Sequence, residues 1–134
     1  FHSFVEERIK ELGIENQVMI NDGKIPYEAV PEVLQEVDGV CLLSRPGVEG
    51  IPRVLQEAVA METPIVATDV EGIEEIFKRK VGCVLIDPDD PQEFIDIFQR
   101  TPDLENPDRD QFEQSLSMKK NYSKYECFYS EIIA

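Results

Sequence analysis

Basic residues are scarce in this chain. Its 134 residues hold 13 Lys and Arg against 28 Asp and Glu, a formal net charge of −15. That balance repels phosphate backbones and anionic lipid, so a nucleic-acid or membrane-surface role would need a local basic patch. The nearest runs, Lys78-Arg79-Lys80 and Lys119-Lys120, are too short to make one. Long hydrophobic runs are missing as well. None approaches the ~18 residues of a transmembrane helix, the N-terminus has no signal-peptide pattern, and the chain reads as cytoplasmic. Histidine is limited to His2, which is given no ligand role. The three cysteines, Cys41, Cys83 and Cys127, are an odd number without CxxC spacing. Two of them fall in apolar strand-like runs, which predicts reduced, buried thiols. Nine Pro and seven Gly exclude a collagen-like or Gly/Pro-rich disordered chain. What remains is the length of one ordinary domain with room for a sizeable core.

Apolar periodicity then lays out the elements. Phe4, Val5, Ile9 and Leu12 predict an amphipathic helix that Gly13 stops. Val18-Met19-Ile20 predicts a short strand, and a helix follows from Tyr27 to Val37 with Pro31 tolerated early in it. The continuously apolar run Gly39 to Leu43 predicts a strand covered on both faces. A loop from Ser44 to Ile51 leads into a helix with Pro52 at its first position and a buried stripe of Val54, Leu55, Ala58 and Val59. Pro64 to Thr68 predicts a strand, then come a turn, a short helix to about Phe77, the strand Gly82 to Ile86, and a helix opened by Pro91. Strands alternating with helices, the strands apolar throughout, imply an α/β domain with a parallel sheet. The division is a core over 1–100, a loop over 101–110 and a helical tail over 111–134. The chain opens inside a helical pattern and reads as a piece of something longer.

Sheets of this kind take ligands at the carboxyl ends of their strands. The segment Ser44-Arg45-Pro46-Gly47-Val48-Glu49-Gly50-Ile51-Pro52-Arg53-Val54-Leu55-Gln56-Glu57 is such a strand-end loop running straight into a helix. Free N–H groups of Gly50, Ile51 and the first helical turn, with the helix dipole, can hold a diphosphate. A carboxylate accepts two hydrogen bonds from a vicinal diol. Glu49 in the loop therefore suits sugar hydroxyls, and Glu57 in the helix suits a ribose. Together they describe a site for a nucleotide sugar. Against this stands a plain surface pair of Glu57 with Arg53 at i,i+4, and for Glu49 a favourable place beside the helix dipole.

Glu49 and Glu57 with seven residues between them, followed by Ala58-Val59-Ala60, Pro64-Ile65-Val66-Ala67-Thr68-Asp69 and Gly72-Ile73-Glu74-Glu75, resemble the retaining glycosyltransferases of family 4 (group 1). The resemblance is to the C-terminal, donor-binding domain of their GT-B fold. It extends back through Gln17 to Ile20 and Val37 to Val40, and forward to Gly82 to Ile86 with Asp90-Pro91. It implies a Rossmann-like open parallel sheet with flanking helices, here lacking the family domain's first two βα units. In the family's strand order those units lie between the strand at Val18 and the strand at Val40, so the sheet would have a gap. The resemblance puts the transferred sugar on Glu49 as the catalytic residue and the ribose on Glu57. The diphosphate or sugar falls to backbone groups of Gly50, Ile51 and Val54, and the base lies near Lys24 and Ile25. Met61-Glu62 stands where the family has a small residue and the glycine that ends this helix, so the helix must be capped another way. Glu71 and Glu74 stand where glycine and proline are common.

The implied partners are a UDP-, GDP- or ADP-linked sugar, a sugar or glycoconjugate acceptor, and the N-terminal GT-B domain that holds it, without which the isolated fragment is expected to be inactive. The usual setting is polysaccharide or glycoconjugate assembly. No cofactor or metal is expected, because helix and basic residues can carry the leaving diphosphate. Asp87-Pro88-Asp89 has the DxD spacing by which glycosyltransferases of another fold hold a cation, but its setting is that of a solvated turn. The alternatives are a nucleotide-sugar epimerase of the same fold and a non-catalytic nucleotide-binding or interaction module. Ser44 lacks the histidine partner of a nucleophile, and the Phe94/Phe98 and Tyr125/Phe128/Tyr129 clusters suit packing or docking better than ligand stacking.

Overall fold

The computed structural model describes residues 2–21, 23–47, 50–78, 80–100 and 103–116. In chain order the elements are α1 (His2–Leu12), a 3-10 turn (Tyr27–Ala29) continuing into α2 (Val30–Glu36), β1 (Val40–Leu42), α3 (Arg53–Ala60), β2 (Ile65–Thr68), α4 (Glu74–Phe77), β3 (Cys83–Ile86), α5 (Pro91–Phe98) and α6 (Arg109–Leu116). The strands form an open three-stranded sheet, β1-β2-β3, parallel throughout. The α/β architecture expected from the apolar pattern is present. No helix among the described residues is long and apolar enough to cross a membrane.

The register explains the core. Val40, Ile65 and Cys83 stand side by side, as do Leu42, Ala67 and Leu85. Because side chains alternate along a strand, these six share one face. They pack on Leu34 of α2, Leu55, Ala58 and Val59 of α3, Ile73, Phe77 of α4 and Phe112 of α6. The central strand β2 is buried at all four positions, and removing Ile65 and Val66 from water contributes roughly 1.5–3 kcal/mol each. Phe112 lies 5.7 Å from Phe77, ring centre to ring centre, so α6 belongs to this core. Thr63 joins the layers at the other end of β2: its buried hydroxyl donates to the Leu34 carbonyl, 2.8 Å.

Several sequence expectations need correction. Val18-Met19-Ile20 is not a strand, and Met19 is 92% exposed. A strand exists only by pairing, and no strand among the described residues runs beside that segment. For the same reason β1 is an edge. Cys41 faces outward and is exposed, and Leu43 is exposed too, so the run is not covered on both faces and the Cys41 thiol is not buried. Cys83 is half-buried, and Cys127 lies outside the described residues. The helix α1 forms as predicted, with Gly13 at φ +65 and the paired bonds Gly13 N–H to Lys10 O and Ile14 N–H to Ile9 O closing it. It buries none of its residues.

The end of α3 shows how the chain manages without the glycine. The N–H of Glu62 reaches Val59 O at 3.0 Å and that of Thr63 reaches Ala58 O at 2.9 Å, the same double closure, but Glu62 itself takes φ +58. A side chain in that left-handed conformation costs roughly 1–2 kcal/mol. Part of that is recovered in the unfolded chain, where glycine is freer. Glu62→Gly should therefore raise stability by up to about 1 kcal/mol, read as a melting temperature a few degrees higher; a lower one would show that the Glu62 side chain contributes more than its backbone costs.

Candidate functional site

The loop after β1 is anchored before it begins. Past Leu42 the next residue to meet β2 is Ser44, whose N–H donates to Thr68 Oγ1 (2.9 Å) while the Thr68 hydroxyl donates to Ser44 O (2.8 Å). Both residues are buried. The loop is exposed from Arg45 to Gly47, which takes φ +76, and at Gly50 and Ile51. Glu49, the expected catalytic residue, lies outside the described residues, as does Val48.

The sequence places Pro52 at the first helical position. In the structure it is the N-cap, extended at φ −65 and ψ 131, and α3 starts at Arg53. Pro52 has no side-chain group to cap this end, and the first-turn amides have no carbonyl partner within the helix. Gln56 Nε2 donates to Ile51 O at 3.2 Å and ties the last loop residue to the helix. A methyl group built on Gly50 meets nothing within 4 Å, and Gly50 has no left-handed φ. Its fold does not require glycine there.

The buried stripe of α3 is Leu55, Ala58 and Val59. Val54, expected within it, lies at its edge in the first turn and is partly exposed. Arg53, Gln56, Glu57 and Ala60 recur at three- and four-residue spacing and so share another face. With Tyr27 they line an open cleft of about 540 Å³. A smaller hollow of about 170 Å³ adjoins it, walled by Glu57, Tyr27, Val30, Leu34 and Met61. Glu57 is half-buried between the two and lies ~6 Å along the axis from Arg53 at 1.5 Å per residue. Its carboxylate makes no ion pair with Arg53 and no hydrogen bond to any described residue. The surface-pair alternative therefore has no contact behind it.

Of the residues singled out in the sequence, the structure brings Gly50, Ile51 and Glu57 onto one loop-helix unit. Lys24 and Ile25 are exposed in the segment before the 3-10 turn and do not line the cleft; Tyr27, two and three residues on, does. Tyr27 and Gln56 were missed as site residues. For Gln56 a signal was present, the polar recurrence at 53, 56 and 57. For Tyr27 none was, because its place is set by how α2 packs on α3.

Other groups are disposed of by their surroundings. Burial pushes the Cys83 thiol up to about 12, against a weak pull from Lys80, so it stays protonated at neutral pH. Asp87 Oδ1 accepts from the Asp89 N–H at 2.8 Å and its carbonyl from the Asp90 N–H, the turn expected there. Lys78 sits against Glu74 and, at 3.2 Å, Asp69, and both contacts raise its pKa. Phe94 and Phe98 stack at 5.7 Å along α5, while the second aromatic cluster lies outside the described residues. The sequence profile of a family described as Glycosyl transferases group 1 matches residues 2–120. No curated protein matches the chain.

Proposed function

From the chain's membership of the group 1 glycosyltransferases, we propose that this domain binds a nucleoside diphosphate sugar along α3 and serves retaining transfer of the sugar to an acceptor. The observation that carries this reading is Glu57: a carboxylate without a partner among the described residues, half-buried on the wall of a cleft, on the same helix whose start, at Pro52, follows Gly50. In this scheme Glu57 accepts the two ribose hydroxyls and the base lies toward Tyr27, Lys24 and Ile25. The diphosphate meets the amides of Gly50, Ile51 and Val54, where the helix end stabilises the charge that grows as the sugar leaves. Glu49 is assigned the sugar. No metal enters the scheme, and the acceptor belongs to a second domain, so transfer by this chain alone is not expected.

The test is a thermal-shift titration of this chain with UDP, GDP and ADP. A ligand at 100 times its dissociation constant adds ~2.7 kcal/mol. Stabilisation by one of the three supports the reading and names the donor base; none at millimolar concentration would leave a family domain without a working donor site. Gly50 gives a second check. Because a methyl group there meets no atom of the described residues beyond its chain neighbours, Gly50→Ala should melt with the wild type yet bind the diphosphate about tenfold more weakly, the loss of roughly one hydrogen bond's worth of approach. Unchanged affinity by calorimetry would take the diphosphate away from Gly50.

A further inference from the structure

The sheet loses its backbone ladder between β1 and β2 just where the loop departs. At the end of β2 the Asp69 N–H turns to Ile86 O of β3 (2.7 Å) and the Thr68 carbonyl accepts from the Val70 N–H (2.9 Å). The Thr68 carbonyl and the Val70 N–H are the groups on the β1 side that would have continued the ladder to Ser44, and they are spent on each other, while the Asp69 N–H belongs to the β3 side. One side chain takes over both halves of that missing rung: the Thr68 hydroxyl accepts from Ser44 N–H and donates to Ser44 O. A hydroxyl is the smallest side-chain group that can do both, and Thr68 is 4% exposed, so water does not compete for it. The loop that follows has a fixed origin at Ser44 and a fixed end at Ile51, where Gln56 holds it.

We propose that Thr68 is a positioning residue for the donor site, setting the loop from Ser44 to Ile51 so that its amides meet the diphosphate. This rests on the donor reading above. Thr68 touches no ligand; it acts through Ser44. Its influence should therefore fall on the diphosphate end of the site and spare the ribose end, which Glu57 holds from the helix.

Two measurements decide it. In the wild type, hydrogen exchange should protect the Ser44 amide as strongly as the amides of β2, although Ser44 lies outside β1. In Thr68→Val, which keeps shape and loses the hydroxyl, exchange at Ser44 and the following loop amides should quicken at least tenfold, and Thr68→Ser should restore it. Calorimetry with UDP, GDP and ADP beside uridine, guanosine and adenosine then separates the ends of the site. The diphosphate should bind Thr68→Val about tenfold more weakly while its nucleoside binds unchanged. An unprotected Ser44 amide, or equal losses for nucleoside and diphosphate, overturns the proposal. A protected Ser44 in a wild type that binds no diphosphate overturns the donor reading and leaves the anchor standing.

Discussion

Glu57→Gln should weaken binding of the nucleoside diphosphate that fits the cleft by about 10- to 100-fold and leave the melting temperature where it was. Hydrogen bonds to a charged group contribute ~1.5–3 kcal/mol each, and 1.4 kcal/mol is a factor of ten in affinity. Glutamine keeps the shape but presents one accepting oxygen and an NH2, which cannot take a proton from the second hydroxyl of a diol. The fold does not feel the change, because the Glu57 carboxylate makes no hydrogen bond or ion pair with any described residue. The control is a 2′,3′-dideoxynucleoside diphosphate, which both proteins should bind with the same reduced affinity. If calorimetry finds wild type and variant equal toward the ribose form, Glu57 has no part in holding the ribose.

The largest expected loss of stability comes from a position remote from the cleft. Gly82 precedes β3 at φ +71, and a Cβ there would lie 2.3 Å from Pro107 N, 2.7 Å from Asn106 C and 2.7 Å from Glu105 O. All three are backbone atoms, so no rotamer change relieves the contact. Gly82→Ala must both strain its own backbone, roughly 1–2 kcal/mol, and push the 105–107 segment away. That segment delivers α6, and with it Phe112, which is buried against Phe77 beneath the Lys80 ammonium. Deleting a buried phenylalanine costs about 3–5 kcal/mol. We expect Gly82→Ala to lose at least about 3 kcal/mol, a melting point about 10 °C lower. Phe112→Ala should lose about as much. The double variant should lose much less than the sum, because both changes remove the same packing. A loss under about 1 kcal/mol for Gly82→Ala would mean that 105–107 yields without carrying α6 with it.

The parts of this fold that could be foretold are those whose signal is local. The apolar run at 65–68 is a strand in any fold that buries it. Asp90 before Pro91 starts α5 by accepting from the N–H groups of Gln92 and Glu93. A similar signal at Asp108, whose Oδ1 accepts from the Asp110 N–H, starts α6 inside what the Pro- and Asp-rich composition presents as loop. Val18 to Ile20 has strand composition, yet pairing is a property of two segments, and no strand among the described residues pairs with it. The candidate site divides in the same way. Gly50, Ile51 and Glu57 lie close in sequence on a loop and the helix it enters and so follow from spacing, whereas Tyr27 shares the cleft with Glu57 because Thr63 and Leu34 hold α2 against the start of β2.

The all-parallel sheet also dictates the order in which the chain assembles. Every rung joins residues distant in sequence, and β2 is party to all of them: Ile65 pairs forward with Cys83 and backward with Val40. The forward pairing closes the shorter stretch of chain and so sacrifices less entropy before contacts reward it. We expect β2, α4 and β3 to pair first and β1 to join later, so that in stopped-flow measurements substitutions in β3 slow folding and those in β1 chiefly hasten unfolding. Since the loop proposed to meet the donor leaves from β1, the proposed site would be completed only when β1 docks, and a partly folded chain would present its cleft-lining helix without that loop.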